Sequence, residues 1–230
     1  MKTPNDTERS ALESLSKIYR LYDDYINSFS IACRKYCADC CTTAVIMTSL
    51  EGRMIYNFLE PEKRRAFFEK HIAVQNKNKF QPAMTTNQYA RLCSQHKEPP
   101  EEQYPEEPDK CPLLEKDACS IYPVRPFGCR CMISEQPCRR TGSASMDDFT
   151  LTVNTMFLQI IEHLDQHGFS GNLVDVLLRL EAEDGDSPTN CPTVPNQPIS
   201  ILMIPPEHQR KVSPLLTTLN HILKTHQGRP

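Results

Sequence analysis

The sequence predicts a mainly α-helical fold with one or two short strands and cysteine-rich loops, and three observations predict it. The chain has 19 Pro, only 7 Gly and no Trp, which suits helices joined by long Pro-rich connections better than a sandwich with many glycine turns. Long stretches place apolar residues at spacings of three and four, the period of a helix with one buried face. Of the 11 cysteines, four lie between Cys33 and Cys41 and five between Cys111 and Cys138. Thiols this concentrated, in a chain with no export signal, more often hold a metal or carry thiol chemistry than form a disulfide framework. The loops are therefore expected to gather around a metal centre.

With 230 residues the chain can bury a core without disulfides, so a metal would add to that core and not replace it. We expect one domain over 1–230, with residues 30–140 as a cysteine-cluster core and 141–230 as a helical extension packed on it. The N-terminal MKTPNDTERS has neither a basic-then-apolar leader nor a twin-arginine pair. No apolar run approaches the roughly 20 residues of a membrane span. These features point to a cytoplasmic protein whose thiols stay reduced and available as ligands. A net charge of -3 leaves no basic footprint for nucleic acid. The acidic run Glu98–Asp109 reads as a solvated, Pro-stiffened connector.

Thr7 to Phe29 places Leu12, Leu15, Ile18, Tyr22, Ile26 and Phe29 on one helical face. If that helix ran on, Cys33, Cys37, Cys40 and Cys41 would share one side, with Cys33 and Cys41 about 12 Å apart along the axis. Tetrahedral zinc, with bonds of about 2.3 Å, needs sulfurs roughly 4 Å apart. The helix must break, or the thiols must be shared between sites. Thr42 to Met47 is a short β-prone run, and Thr48 with Glu51 forms a capping box for a helix carrying Met54, Ile55, Phe58 and Leu59. Pro61 opens a second helix, to about Gln75, with Phe67, Phe68 and Ile72 inward. Residues 76–110 read as a long loop anchored by Met84, Tyr89 and Leu92. Asp147 or Asp148 caps a helix to about His167, with Val153, Phe157, Ile160, Ile161 and Leu164 inward, and Gly168 ends it. A shorter buried helix over Leu173–Leu180, a loop over 184–198 and an apolar strand over Ile199–Ile204 follow. A last helix from Pro206 to Thr225 buries Val212, Leu215, Leu216, Leu219 and Ile222.

Cys33-x3-Cys37-x2-Cys40-Cys41 has spacings that let thiolates converge on Zn²⁺ or on an iron–sulfur cluster, both of which favour soft sulfur. Of the adjacent pair Cys40 and Cys41, one can face the centre that Cys37 faces while the other faces a second centre or supports the first. In the downstream segment, Pro123 and Pro126 forbid a continuous helix and pre-order a fixed-shape loop around Cys111, Cys119, Cys129, Cys131 and Cys138. Four thiolates around Zn²⁺ or a 4Fe–4S cluster leave about two net negative charges, which the guanidinium groups of Arg125 and Arg130 are placed to offset.

The first motif, followed by CPLL-x4-CSIY-x2-RP-x2-CR, resembles the YkgJ-type cysteine-cluster family of zinc- or iron-chelating proteins, over roughly residues 30 to 135. The resemblance implies that Cys33, Cys37, Cys40, Cys41, Cys111, Cys119 and Cys129 are the family's cysteines. Family members often carry a phenylalanine shortly after the CR pair, where this chain has Cys131. An eighth ligand is therefore open between Cys131 and Cys138, and Cys138 is included in the expected metal set. A distant relationship of the family to flagellin lysine N-methylases brings a methyl-transfer enzyme into view.

Cys33-x3-Cys37-x2-Cys40 also spells the radical S-adenosylmethionine signature, but the alternating strands and helices of the barrel it requires are not legible here. His163 and His167, four apart, read as helix-end histidines that complement the helix dipole. Cys93 and Cys191 read as isolated thiols. No catalytic residue can be assigned. The leading expectation is a metal-binding protein, zinc or iron, with a metal ion as its partner. An iron–sulfur-dependent redox or methyl-transfer enzyme is the alternative.

Overall fold

The computed structural model describes residues 6–34, 36–73, 78–185 and 191–227, and it is mainly α-helical. Helix α1 (Asp6–Ile26) buries Leu15, Ile18, Tyr22 and Ile26 of the predicted stripe, and Tyr19 beside them. It ends before Phe29, which lies outside the helix and is 37% exposed. Helix α2 (Ser49–Phe58) starts on the predicted capping box, with both reciprocal bonds between Thr48 and Glu51 formed. Ile55 and Leu59 turn inward, whereas Phe58, expected inside, is exposed. Helix α3 (Pro61–Ala73) buries Phe67 and Phe68. Its expected end at Gln75 and the side chain of Ile72 lie outside the described residues.

The stretch expected as one loop contains α4 (Thr86–Ser94), capped by a box in which Thr85 and Gln88 exchange bonds. Its buried residues are Asn87 and Ala90, and Asn87 Nδ2 donates to the carbonyls of Gln159 and Gln197. The helix docks through an amide, so a search for an apolar stripe passes over it. The short helices α5 (Phe127–Arg130) and α6 (Cys138–Thr141) interrupt the cysteine loop. Helix α7 (Asp148–Leu164) is capped by Asp147, whose carboxyl accepts from Thr150 N at 2.7 Å. It stops at Leu164, so His163 and His167 do not share a helical face. Helix α8 (Leu173–Gly185) runs further than expected, and α9 (Gln209–Gln227) closes the described chain behind a single 3-10 turn.

The described residues hold five short strands, where one or two were expected. Strands β1 (Ile46–Thr48), β4 (Phe169–Asn172) and β5 (Thr193–Pro195) form an antiparallel sheet in the order β1-β4-β5, with Ile46 opposite Asn172. Strands β2 (Leu114–Glu115) and β3 (Ala118–Cys119) form a tight hairpin. The predicted strand over Ile199–Ile204 is absent among the described residues. That segment bends at Ser200 and turns at Ile204, whose N donates to Leu202 O, and Gln159 bonds its backbone: Nε2 donates to Ile201 O and Oε1 accepts from Met203 N.

Two apolar cores result. One joins α1, α7 and α9 through Leu15, Ile18, Val153, Phe157, Ile160 and Leu219, with Phe127 of α5 stacked on Phe157. The other joins α2, α3 and α8 to the sheet and to Leu113 and Ile121 of the cysteine loop. The cysteine segments are thereby pinned at the edges of both cores. Among the described residues, no helix is long and apolar enough to cross a membrane.

Candidate metal centre

The chain leaves α1 at Ile26, and the described residues between it and β1 hold no regular structure apart from the isolated bridge at Thr42. Two turns fold the first cysteine segment: Cys37 N donates to Arg34 O, and Cys41 N donates to Ala38 O. Of the two outcomes that spacing left open, the break of the helix has occurred, and the thiols are not strung along a helix. The downstream segment is bonded directly to this one. Cys111 N donates to Cys41 O at 3.0 Å, Thr43 N donates to Asp109 O at 2.8 Å, and Thr42 and Lys110 form a bridge. The β2–β3 hairpin then returns Cys119 opposite Leu114, with Lys116 and Asp117 in the left-handed conformation of a two-residue turn.

Cys129 arrives on α5, whose position is set by two close approaches. Glu51, buried in α2, accepts from Phe127 N at 2.6 Å as well as from Tyr19 OH and Thr48 N. Gly128 lies against the Ile46 carbonyl. The capping residue of one helix thus also terminates the backbone of another, and α5 is held between α1, α2 and β1.

These connections bring Cys33, Cys37, Cys40, Cys41, Cys111, Cys119 and Cys129 to the wall of one cavity of about 550 Å³. Cys131 and Cys138 are not among the described residues lining it. Cys131 points its thiol at Gly128 O, and burial pushes that thiol up to about 12. Cys138 opens α6, close enough to Cys33 to bear on its charge. Cys93 is exposed, away from the cavity.

Burial dominates the electrostatics. It pushes the Cys111 thiol up to about 11 and raises Cys119, Cys129 and Cys33 as well, because a thiolate loses its hydration there. Cys40 and Cys41 split in opposite directions. The hydrogen bond between them, followed by burial, raises Cys40, and the same bond lowers Cys41.

The two arginines have different surroundings. Arg125 stacks over the Tyr122 ring at 3.9 Å and its charge favours the Cys119 thiolate. Arg130 is buried, with Nη1 on both oxygens of Asp23, Nε on Arg125 O and Nη2 on Pro123 O, above the Tyr19 ring. Its donors hold the loop in shape, a role that spacing alone does not reveal. Glu51 was also missed as a site-building residue, although the capping box was the signal that marked it.

Among the described residues, no three His, Cys, Asp or Glu side chains stand together as a formed metal site. The donor chemistry nevertheless fits a soft metal: seven cysteines from sequence-distant segments line one space, each on a side chain with staggered alternatives. Protein-family models, curated proteins and solved structures yield no match to this chain.

Proposed function

We propose that this chain is a cytoplasmic cysteine-cluster protein that binds zinc or iron through thiolates, as the resemblance to the YkgJ-type family implies. The observation that carries the reading is the meeting of seven thiols, from residues 33 to 129, on the wall of one cavity. Cys33, Cys37, Cys40, Cys41, Cys111, Cys119 and Cys129 would hold the metal. The bound metal would supply folding free energy to the loops, because its ligands are gathered only in the folded chain. The protein's own contribution is preparation. Arg125 offsets thiolate charge, and Glu51 and Arg130 keep α5 and its flanking loop in place.

The cavity volume favours a second reading. About 550 Å³ lies within the roughly 300–1,000 Å³ of small-molecule sites, more than an ion closed by four thiolates needs. An iron–sulfur-dependent enzyme, redox or methyl-transferring, would use that space for a substrate. Elemental analysis with acid-labile sulfide assay, on protein purified without oxygen, separates the two. Stoichiometric zinc in colourless protein supports the metal-binding reading and sinks the enzyme. Iron with equal sulfide and broad visible absorption supports the enzyme. Protein carrying neither metal, and taking up neither on reconstitution, overturns both.

A further inference from the structure

The isolated bridge between Thr42 and Lys110 sets two cysteines face to face. The bridge is antiparallel, with Cys111 N donating to Cys41 O at 3.0 Å on one side of it and Thr43 N donating to Asp109 O at 2.8 Å on the other. One step along an antiparallel pair the two chains are again opposite each other, so Cys41 stands directly across from Cys111. Opposed residues send their side chains to the same face, and both cysteines line the same cavity.

A hydrogen-bonded antiparallel pair has its Cα atoms about 5.5 Å apart, within the roughly 4.4–6.8 Å that a disulfide spans. The β-carbons of such a pair stand about 4.5–5.5 Å apart, where a disulfide takes roughly 3.5–4.5 Å. The two segments must therefore draw together slightly to be bridged. Nothing in the ladder resists this on the Cys41 side, because Cys41 N donates to Ala38 O and not across to the downstream segment. A bond closed against such strain is more easily reduced. Neighbouring thiols are placed less well for bonding. Cys119 stands opposite Leu114 in its hairpin. Cys40, next to Cys41 in sequence, could join it only through a small ring that strains the planar peptide between them.

We propose that Cys41 and Cys111 form a reversible dithiol–disulfide couple, oxidised by small disulfides of the glutathione class. In the cytoplasmic setting proposed above, a disulfide is a transient one, redox-sensing or catalytic. Both thiols are partly buried, but the wall they share includes Tyr122 and Met132, which are 45% and 41% exposed, so the cavity opens to solvent. One of the two cysteines, as thiolate, attacks a sulfur of oxidised glutathione. A bond forms between protein and glutathione, the glutathione disulfide breaks, and one glutathione leaves as thiolate. The other cysteine, as thiolate, attacks the protein sulfur of that mixed disulfide. The bond between Cys41 and Cys111 forms, and the second glutathione leaves. The two thiol protons end on the two glutathiones, and two electrons pass from the protein to the oxidant. The couple goes beyond the metal-binding reading and stands without it. On that reading, oxidation would also withdraw two of the seven donors, since the thiolate is the metal ligand.

The test uses the full chain, reduced, stripped of metal by a chelator and exposed to oxidised glutathione without oxygen. Free thiols are alkylated at intervals and linked peptides are identified by mass spectrometry, with fragment ions telling Cys41 from Cys40. We expect the linkage between Cys41 and Cys111 to accumulate first, to reverse with dithiothreitol and to leave helical circular dichroism unchanged. C111S should stop at glutathione bound to Cys41. Should C111S fail to fold, the intact chain still decides. A first linkage between any other two cysteines, a lasting glutathione adduct on the intact chain, bond formation only as the helical signal is lost, or no reaction at all overturns the proposal. Because metal is absent throughout, none of these outcomes bears on whether the cluster binds one.

Discussion

A Cβ on residue 128 would stand 2.7 Å from the Ile46 carbonyl oxygen, closer than real Cβ atoms come to a backbone oxygen. We therefore expect Gly128→Ala to force α5 away from β1, at about 1–3 kcal/mol for an overpacked contact. Urea unfolding should show the loss, and elemental analysis should show less metal retained, because Cys129 moves with the helix. Glu51 is the second residue whose identity matters to the site. Its carboxyl accepts from Tyr19 OH, Phe127 N, Thr48 N and Thr48 Oγ1. Glu51→Gln turns one of those oxygens into a donor that faces donors, which should cost about 2–4 kcal/mol. Unchanged denaturant stability in this variant would mean that the bonds to Tyr19 and Phe127 contribute little. The capping role was legible in the sequence as Thr48-x-x-Glu51. The contact with Phe127, 76 residues away, was not, since nothing local announces a second use for a buried carboxyl.

Elements built from apolar periodicity were legible, and those built from polar contacts were not. The inner face of α7 is buried as its pattern predicts, because a stripe of hydrocarbon has one low-energy place to go. Helix α4 carried a signal in Thr85-x-x-Gln88, but its docking through Asn87 left no stripe to read. Strand β4, Phe-Ser-Gly-Asn, lacks the β-branched residues of a typical strand and is fixed by Asn172 donating to Thr43 O and Phe80 O. The junction of α7 with α2 yields a pH test. Asp165, at the end of α7, accepts from Ser49 Oγ at 2.6 Å and Leu50 N at 3.0 Å. Burial raises its carboxyl from 3.8 to about 6. The folded state therefore binds the proton more tightly than the unfolded chain does. This stabilising contribution is full below about pH 4 and fades as pH rises through about 6, by at most about 3 kcal/mol. Glu162 is raised by burial in the same direction. Denaturant unfolding at both ends of that window should show a smaller pH difference in Asp165→Asn than in the parent, and an equal difference would refute the assignment.

Across the described residues as a whole, no cysteine is among the buried members of either apolar core, and the thiols that reach a core pack at its edge. The helices should therefore outlast the metal, unlike a zinc finger, which unfolds without it. After chelation under reducing conditions we expect helical circular dichroism to be retained. Hydrogen exchange should quicken over residues 27–45 and in the segment from Cys111 to Cys138. Collapse of the helical signal would show that the metal, and not the cores, holds the fold.

The sequence by itself determined the mainly helical class, the helix-forming stripes, the capping box and the set of thiols available to a soft metal, because each is a local pattern of residue type and spacing. Only the tertiary structure decided which thiols face one cavity, that Arg130 braces the loop through Asp23 and Pro123, and that Ile199–Ile204 is satisfied by Gln159 and not by a strand. Those outcomes depend on which distant backbone and side-chain groups must find partners once water is excluded, and spacing along the chain carries no record of that choice.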